Sequence, residues 1–400
     1  MSGARAWLVG GTVRDLLLGQ RPADYDIAFN DDLSPEIRDW ARRLQGSWFW
    51  LDKERNQSRV ILDGGRLQFD FASLRAADIE DDLRLRDFTV NAIALPLLEL
   101  SAGGLIDPLG GQNDLRKGVL RTCSAEVLKD DPLRCLKGIR HHAQHGWKFD
   151  PESLRRIREA APLLGHVAGE RIRTELAYIL AAPRFASAIR LLVETGLAQE
   201  LLPSFDNRKF QTRLTNVQAR LTRLAAFREI GNALNNEYEA HLPLRSLLLL
   251  SLLLGCSSHN LAAFAERLRL SRKSRNLLDA LTKAVPLQLE FNLEDGPRVS
   301  ALRMEQIDRE PVAGVIHTLL QKQDFALDEV CAAAIGHYVT QLRQGRVPDL
   351  MDGNTLKGRY PTLSGQEIGD LLGQIKVAEI KGEIAGKNGV GGWLERQFSN

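Results

Sequence analysis

Two acidic residues close together in a strand-like segment are the first sign of chemistry. Asp24 and Asp26 flank Tyr25, and the segment that continues to Phe29 has the apolar and aromatic residues of a strand. Side chains two positions apart in a strand leave the same face, so the two carboxylates would repel each other. A divalent cation between them relieves that repulsion, and hard oxygen ligands favour Mg²⁺. The spacing therefore predicts that Asp24 and Asp26 hold magnesium.

A glycine pair lies shortly before these aspartates. Gly10 and Gly11 separate a strand-like run, residues 6–9, from a helix pattern that contains Arg14. Such a junction lets backbone N–H groups approach an anion at a helix N-terminus, and Arg14 can add a bidentate phosphate contact. A lone Gly-Gly or Asp-x-Asp is more typical of a turn with solvated charges. In this order and at this spacing, the two together predict a site for a metal-bound triphosphate.

A third carboxylate lies in a second strand-like segment, residues 67–71. The apolar residues of that segment alternate onto one face of the strand, so Asp70 points to the other. If this strand neighbours the one that carries Asp26, Asp70 reaches the metals and could take the proton from an attacking hydroxyl group. The alternative is an exposed aspartate with no chemical role.

The elements that must position these residues form two kinds of region. In the first third, strand-like runs at 6–9, 25–29, 59–62 and 67–71 alternate with helix patterns, and Asp-Gly-Gly at 63–65 predicts a hairpin turn. From about Leu120 onward the strand signals stop, and amphipathic helix patterns separated by prolines take over. This predicts an α+β protein: an α/β head at residues 1–120, then an all-helical neck at 121–183, body at 184–347 and tail at 348–400.

The composition describes an ordinary globular protein. The 400 residues are 44% hydrophobic and 26% charged, which excludes a disordered chain, and the net charge is only +2. An acidic substrate would therefore have to meet local basic patches. The four cysteines, Cys123, Cys135, Cys256 and Cys331, are far apart and are expected to be buried thiols in a reducing cytosol.

The sequence contains no pattern typical of secretion or membrane insertion. The N-terminus lacks an apolar core followed by a cleavage site of small residues. The most apolar run, residues 247–254, is well short of the roughly 18 residues that a membrane span needs, and it is expected to be a buried helix. We expect a cytoplasmic protein, with no membrane contact and no protein partner evident from the sequence.

Five segments, in order, resemble the motifs of the class II tRNA nucleotidyltransferases and bacterial poly(A) polymerases. They are residues 8–26, which hold the glycines and aspartates described above (motif A); 86–92, the sugar-recognising motif B; 107–115, the hinge motif C; 130–134, motif D, which serves as an amino-acid template for the base; and 169–172, motif E, which steadies the neck. The resemblance implies a polymerase β-like nucleotidyltransferase head, Mg²⁺ as cofactor, and tRNA, CTP and ATP as substrates.

The resemblance also assigns residues to nucleotide binding: Gly11, Arg14, Arg86, Asn91, Asp131, Arg134, Lys137 and Arg140. Three positions depart from the family's usual pattern. Lys137 stands where arginine is usual and loses the fork geometry of a guanidinium. Asp130 replaces a usual glutamate, and Leu85 replaces a usual arginine.

The chemistry of Asp131 and Arg134 also points to base selection. Three positions apart on a predicted helix, the two residues share a face. A carboxylate only accepts hydrogen bonds, and a guanidinium only donates them. Cytosine and adenine both offer an amino donor beside a ring-nitrogen acceptor, whereas uracil and guanine offer the reverse and would leave buried groups unpaired at ~1–3 kcal/mol each. The pair predicts a site that accepts C and A, although an isolated Asp-x-x-Arg is more commonly a surface ion pair.

The resemblance implies template-independent nucleotide addition to the 3′ end of tRNA, with two alternatives. Poly(A) addition to other RNAs uses the same head, but the poly(A) polymerase signature Gly-basic-basic-Phe is missing at 46–51, which reads Gly-Ser-Trp-Phe-Trp-Leu. An inactive RNA-binding relative is disfavoured because the motif A and motif D residues are intact. Five basic residues could contact tRNA phosphates or form a solvated helix face: Arg267, Arg269, Arg272, Lys273 and Arg275.

The number of nucleotides added depends on one short segment. Only residues 76–84 separate the strand-like segment of Asp70 from motif B. In CCA-adding relatives a longer, flexible loop stands there and acts as a lever that reshapes the pocket from C to A, and relatives that stop after two cytidines lack it. We therefore expect addition of C without the terminal A, with full CCA addition as the alternative.

Overall fold

The computed structural model describes residues 6–97, 104–201, 207–239, 242–254, 258–283, 296–305, 310–321, 326–342 and 350–398. The chain divides into two compact units, Met1–Phe205 and Asp206–Asn400. The first unit contains the predicted head and neck, and the second contains most of the predicted body and the tail. The four-region division itself stays a prediction, and its last boundary, near residue 347, lies outside the described residues.

A mixed β-sheet forms the centre of the head. Within the described residues it has six strands: β1 (Ala6–Val9), β2 (Tyr25–Phe29), β3 (Ser47–Asp52), β4 (Gln57–Leu62), β5 (Leu67–Ser73) and β6 (Ala94–Pro96). Their order across the sheet is β3-β4-β5-β2-β1-β6. β2 and β5 are parallel, and every other neighbouring pair is antiparallel. The strands predicted at 6–9 and 25–29 and the predicted hairpin are confirmed.

Strand β3 is an element that the sequence analysis does not predict. Its central residues, Trp48, Phe49 and Trp50, are all aromatic, so the run lacks the alternation of polar and apolar residues that indicates a strand. The strand lies at the edge of the sheet, where its side chains alternate between half-buried and exposed. Its placement follows from pairing with β4 rather than from its own pattern.

Four helices accompany the sheet: α1 (Gly10–Leu17), α2 (Ser34–Arg43), α3 (Ile79–Arg84) and α4 (Gly111–Lys117). Successive residues of β2 point to opposite faces and enter two separate apolar cores. Ile27 and Phe29 pack with Ile37 of α2, whereas Ala28 packs with Leu83 of α3. The face that α3 covers is also the face on which the even-numbered Asp26 must lie.

The neck is built from helices α5 (Val127–Asp130), α6 (Leu133–His145), α7 (Pro151–Ala160), α8 (Gly169–Ala181), α9 (Phe185–Glu194) and α10 (Leu197–Leu201). Asp150 caps α7 by accepting a hydrogen bond from the backbone N–H of Ser153, and Pro151 opens that helix. The expectation that strands end near Leu120 is wrong in detail. A short parallel pair joins β7 (Val119–Leu120) to β8 (Lys148–Phe149), and these two-residue strands are too short to show a period in the sequence.

The described part of the second unit is mostly helical. Its helices are α11 (Asn207–Ala225), α12 (Arg228–Asn235), α13 (Leu244–Leu254), α14 (Ser258–Arg267), α15 (Arg272–Lys283), α16 (Gly296–Glu305), α17 (Pro311–Gln321), α18 (Ala326–His337), α19 (Gly353–Arg359), α20 (Gly365–Ile380) and α21 (Gly386–Phe398). A two-stranded pair, β9 (Glu237–Glu239) with β10 (Leu242–Pro243), is a further departure from the all-helical expectation.

Helix α13 contains the apolar run singled out in the sequence. Leu247, Leu248, Leu249 and Leu250 are buried, as expected for a core helix. Among the described residues, no helix is both long and apolar enough to cross a membrane.

Of the three cysteines in the described residues, two are buried. Cys135 and Cys331 are shielded from solvent, Cys123 is half-buried, and Cys256 lies outside the described residues. Burial raises the pKa of Cys135 to about 12, which is typical of an unreactive thiol.

Candidate active site

The three predicted catalytic aspartates line one cavity of about 650 Å³ in the first unit, whose lining combines residues of the head with residues of α6 in the neck. As predicted, β5 lies beside β2, and the register places Asp70 directly opposite Asp26. Asp24 immediately precedes β2. Buried Thr12 ties α1 to this strand, because its Oγ1 accepts a hydrogen bond from the backbone N–H of Asp26 at 2.7 Å. The fold thus gathers carboxylates that are more than forty residues apart in the chain onto one face of the sheet.

The electrostatics of Asp26 fit a site for a divalent cation. Burial and the charge of Asp24 raise the pKa of Asp26 to about 6, against a smaller opposing effect of Arg86. A cation bound by the two carboxylates would stabilise the ionised form of Asp26 and so lower its pKa. Carboxylate oxygens suit Mg²⁺. In the described part of the chain, no group of three or more His, Cys, Asp or Glu side chains is arranged as a metal site. Asp24 and Asp26 would therefore bind Mg²⁺ together with other ligands, such as the triphosphate.

Asp70 is held by an arginine that the sequence analysis does not identify. Arg59, opposite Asp70 on β4, donates from Nε to Oδ1 at 2.7 Å and from Nη2 to Oδ2 at 2.8 Å. This bidentate contact raises the pKa of Arg59 and fixes the orientation of the carboxylate. This contact could have been predicted from the sequence, because a hairpin turn at 63–65 that pairs Leu62 with Leu67 also pairs Arg59 with Asp70.

Gly10 is required where β1 turns into α1. Its φ is +65°, and a Cβ there would lie 3.0 Å from Nη1 of Arg86 and 3.1 Å from Oδ2 of Asp26. Only glycine tolerates both the backbone conformation and this crowding. Gly11 follows, with the guanidinium of Arg14 close by; a Cβ on Gly11 would lie 3.4 Å from Nη2 of Arg14.

Arg14 and Asn91 connect motif A to motif B. Nη1 of Arg14 donates to Oδ1 of Asn91 at 2.9 Å, and Nδ2 of Asn91 donates to Oδ1 of Asp87 at 3.1 Å. Burial alone would raise the pKa of Asp87, but the charge of Lys137 and the hydrogen bonds that Asp87 accepts lower it. Asp87 therefore remains a carboxylate beside the cavity and keeps the Asn91 amide oriented.

Arg86 is anchored by Asp82 of α3. Nη2 of Arg86 donates to Oδ2 of Asp82 at 3.2 Å, and Arg75 donates to the same carboxylate from Nε at 2.9 Å. Asp82 is only 2% exposed, and burial opposes its ionisation, yet these arginines lower its pKa. The ion pairs hold Arg86 between α3 and Gly10.

Two family models match the chain. "Poly A polymerase head domain" matches residues 6–121, and "Probable RNA and SrmB- binding site of polymerase A" matches residues 146–209. A CC-adding tRNA nucleotidyltransferase of Geobacter sulfurreducens is 31% identical over 392 residues, which cover 96% of this chain and 89% of that relative. The chain belongs to the class II tRNA nucleotidyltransferase family.

Further relatives of this nucleotidyltransferase differ in what their names say they add. A CC-adding tRNA nucleotidyltransferase of Synechocystis is 29% identical over 95% of this chain and 91% of that relative. An A-adding tRNA nucleotidyltransferase of Deinococcus radiodurans is 42% identical over 50% of this chain and 45% of that relative. The structure of a CCA-adding enzyme in complex with ATP matches 99% of this chain and 90% of its own, with a TM-score of 0.72 at 25% identity. The predicted α+β fold class is confirmed.

Motif D of this nucleotidyltransferase does not have the predicted geometry. Asp131 lies between α5 and α6 in extended backbone, and α6 begins only at Leu133, so Asp131 and Arg134 do not share a helix face. The cause is Pro132, because a proline disfavours the helical conformation of the residue before it. Oδ2 of Asp131 instead accepts a hydrogen bond from Nη2 of Arg171, in motif E, at 2.9 Å.

Arg134 lines the cavity, whereas Asp131 is not part of its lining. Nη1 of Arg134 donates to the carbonyl oxygens of Leu85 at 3.2 Å and Val127 at 3.1 Å. A guanidinium has five N–H donors, so the other nitrogens can still donate to a base. The carbonyl contacts fix the plane in which those donors lie.

Four further residues of α6 line the same cavity, namely Lys137, Arg140, His141 and Gln144. Nε of Arg140 lies 3.4 Å from a carboxylate oxygen of Glu175 on α8. His141 was not among the site residues predicted from the sequence. It is buried, and burial followed by the charge of Arg14 lowers its pKa well below the usual value, so the ring is neutral. Its Nε2 lies 3.4 Å from Nδ2 of Asn91. His141 is seven residues after Arg134 and therefore lies on the same helix face. This spacing could have identified His141 as a residue of the site.

Proposed function

We propose that this nucleotidyltransferase adds two cytidines to the 3′ end of tRNA from CTP and stops before the terminal adenosine. The observation that carries the proposal is the short helix α3, which fills the segment between the strand of Asp70 and motif B. The side chain of Asp78 caps this helix by accepting from the backbone N–H of Asp81, and buried Asp82 binds Arg75 and Arg86. Held in this way, the segment is a fixed wall of the pocket and not a mobile lever that could admit a larger base.

Two relatives that are similar in sequence over nearly the whole chain carry names that specify CC addition, which supports the proposal. The A-adding relative matches only half of the chain, and the CCA-adding enzyme solved with ATP shares the fold at 25% identity. Substrate binding would use the residues that line the cavity on the α1 and α6 side. Arg14, Lys137 and Arg140 supply positive charge for the triphosphate, and Arg134 donates to the base edge.

The transfer step would place the 3′-hydroxyl of the tRNA beside Asp70. The orientation that Arg59 imposes leaves lone pairs on both oxygens of Asp70, so the carboxylate can still accept the hydroxyl proton. The oxygen then attacks the α-phosphate in line and pyrophosphate leaves. Mg²⁺ held by Asp24 and Asp26 would neutralise the charge that develops on the phosphates.

Product analysis tests this proposal directly. The purified protein is incubated with tRNA transcripts that lack one, two or three terminal nucleotides, together with CTP and ATP, and the products are sequenced. We expect transcripts lacking two or three nucleotides to accumulate as CC-ending products, and the transcript lacking only the adenosine to remain unextended. Efficient completion to CCA would contradict the C-only specificity.

Two catalytic-site variants and an RNA unrelated to tRNA distinguish the remaining alternatives. Asp24→Ala and Asp26→Ala should lose addition by several orders of magnitude while tRNA affinity is retained, because these residues act on the chemistry and not on RNA binding. An RNA unrelated to tRNA, incubated with ATP alone, tests poly(A) addition. Long adenosine tails on that RNA, with no preference for tRNA, would favour the poly(A) alternative.

A further inference from the structure

A row of paired residues crosses the active face of the head sheet. The register pairs Asp26 with Asp70, Asp70 with Arg59, and Arg59 with Phe49. Paired residues of neighbouring strands share a face, so Phe49 continues the line of the catalytic carboxylates to the edge strand β3. The row therefore leads from the reacting groups to an exposed aromatic ring.

Phe49 and Leu51 are exposed on this face. Phe49 is 40% exposed and Leu51 is 47% exposed, and Leu51 also lines the cavity that contains the three aspartates. The neighbouring tryptophans point the other way, where the guanidinium of Arg38 lies 4.6 Å from the ring centre of Trp48. Those rings belong to the core side of β3, whereas Phe49 and Leu51 form an apolar surface that is continuous with the active site.

In-line transfer determines which side of the carboxylates the primer must occupy. The nucleotide-binding residues Arg14 and Asn91 lie by β1 and β6, and α6 joins them through His141. In the strand order β3-β4-β5-β2-β1-β6, this side is opposite to β3. The attacking oxygen and the leaving pyrophosphate stand on opposite sides of the α-phosphate. The 3′ end of the RNA therefore approaches across β5, β4 and β3.

We propose that Phe49, with Leu51 beside it, is a stacking platform for the base at the 3′ end of the RNA primer. Neighbouring strands lie about 4.8 Å apart, so Phe49 is roughly 10 Å from Asp70, within reach of the base of a nucleotide whose 3′-hydroxyl lies at Asp70. The inference rests on the proposed transfer to tRNA and adds the subsite for the acceptor end.

The subsite must bind primers that end in different bases, and stacking allows this. The terminal base of the primer changes once the first cytidine has been added, so hydrogen bonds to one base edge would fail at the next step. An aromatic ring accepts every base because every base has a π-face. The apolar platform thus explains how one site can hold successive acceptor ends while the selective contacts remain on the α6 side.

The test compares Phe49→Ala, Phe49→Leu and Phe49→Trp with wild type in single-turnover addition of C. We expect Phe49→Ala to raise the half-saturating primer concentration by about tenfold to a hundredfold, the range expected for the loss of one base stack, with half-saturation by CTP unchanged. Phe49→Trp should stay near wild type, and Phe49→Leu should fall between. Leu44→Ala is the control and should change neither value, because Leu44 is also an exposed apolar residue, at 51%, but follows α2 on the other face.

A binding measurement keeps the platform testable even without turnover. A tRNA with 2-aminopurine at its 3′ terminus is titrated with protein in the absence of CTP, and stacking on Phe49 should quench its fluorescence more in wild type than in Phe49→Ala. Equal primer half-saturation and equal quenching in wild type and Phe49→Ala would overturn the platform while leaving the proposed function intact. A wild-type protein that adds nothing to tRNA would instead contradict the proposed function.

Discussion

The carboxyl group of Asp26 carries an electrostatic cost in the folded protein. Burial and the charge of Asp24 raise its pKa from 3.8 to about 6. Between those values the unfolded chain has released this proton and the folded chain still holds it, so the free energy of unfolding falls as pH rises through the window. The penalty is complete above pH ~6, and a shift of about 2 pKa units corresponds to ~3 kcal/mol.

Asp26→Asn should therefore stabilise the protein near neutral pH when metal is removed with EDTA. We expect the free energy of unfolding in urea to rise by up to ~3 kcal/mol, and the difference from wild type to shrink towards pH ~4. Added Mg²⁺ should stabilise wild type and not the variant, because only wild type keeps both carboxylates. Asp39→Asn is the control, because it removes only surface ion pairs with Arg42 and Arg43 on α2. A variant less stable than wild type near neutral pH would contradict the cost assigned to Asp26.

Arg134 should control which nucleotide is accepted. Arg134→Ala and Arg134→Lys both remove the fork of donors that we propose faces the base, so both should slow incorporation of CTP and admit UTP or GTP. Single-turnover rates for all four nucleotides measure this selectivity. Arg134→Lys controls for charge, because it keeps the positive charge near the triphosphate. An unchanged ratio among the four nucleotides would show that Arg134 is not the selecting residue.

Residue types and spacing predict the carboxylates and the glycine pair because those features depend only on neighbours in the chain. The prediction for Asp131 was wrong. Its spacing from Arg134 indicated a shared helix face, but Pro132 forces Asp131 into extended backbone. Arg59 was not predicted, because its pairing with Asp70 follows only from the residue-by-residue register of the β4–β5 hairpin.

At the scale of elements, α3 depends on one buried carboxylate. Asp82 accepts from the backbone N–H of Arg75 at 3.0 Å as well as from the side chains of Arg75 and Arg86. Burial opposes the charge of Asp82, but these contacts lower its pKa. The stabilisation that Asp82 supplies is therefore fully present above pH ~4 and is lost as pH falls through the lower pKa of the folded state.

Asp82→Asn tests this anchoring role. Removing the charge leaves Arg75 and Arg86 without their buried partner, so the free energy of unfolding should fall by roughly 3 kcal/mol near neutral pH, and the deficit should narrow in acid. Asp81→Asn, exposed on the same helix, should change stability little. Because α3 also holds Arg86 beside Gly10, we expect the catalytic rate to fall with the stability. A stable, fully active Asp82→Asn variant would contradict the description of α3 as a fixed wall.

Elements with a clear period were predictable, and short or pattern-free ones were not. The strands of motif A and the β4–β5 hairpin follow from alternation and turn residues, and α13 from its apolar run. β3 has three consecutive aromatic residues and no polar contrast, and β7 and β8 have two residues each. Such elements form because a neighbouring strand supplies hydrogen-bond partners, which the local sequence does not reveal.

At the scale of the whole molecule, a net charge of +2 means that RNA must be attracted locally. Five basic residues predicted to contact tRNA lie at and between α14 and α15 in the second unit. Of the three that belong to α15, Lys273 and Arg275 are partly engaged within the protein: Nζ of Lys273 lies 4.0 Å from the ring centre of Tyr238, and Nε of Arg275 donates to the carbonyl oxygen of Leu270. Arg272, the first residue of α15, is exposed. Its side chain is thus the best placed of the three to meet a phosphate.

Arg272→Glu should weaken tRNA binding without affecting CTP. Each phosphate contact that is lost should make the slope of log affinity against log salt concentration shallower by about one, because one fewer counterion is released. Arg228→Glu is a matched control, since Arg228 is also an exposed arginine at the start of a helix in the second unit and its reversal changes the net charge equally. Equilibrium binding of tRNA across a salt series measures the slope, and the half-saturating CTP concentration in C addition measures the nucleotide site. If Arg228→Glu weakens tRNA binding as much as Arg272→Glu does, the attraction is a property of the total charge. If only Arg272→Glu does so, with the shallower slope, the start of α15 contacts the tRNA backbone.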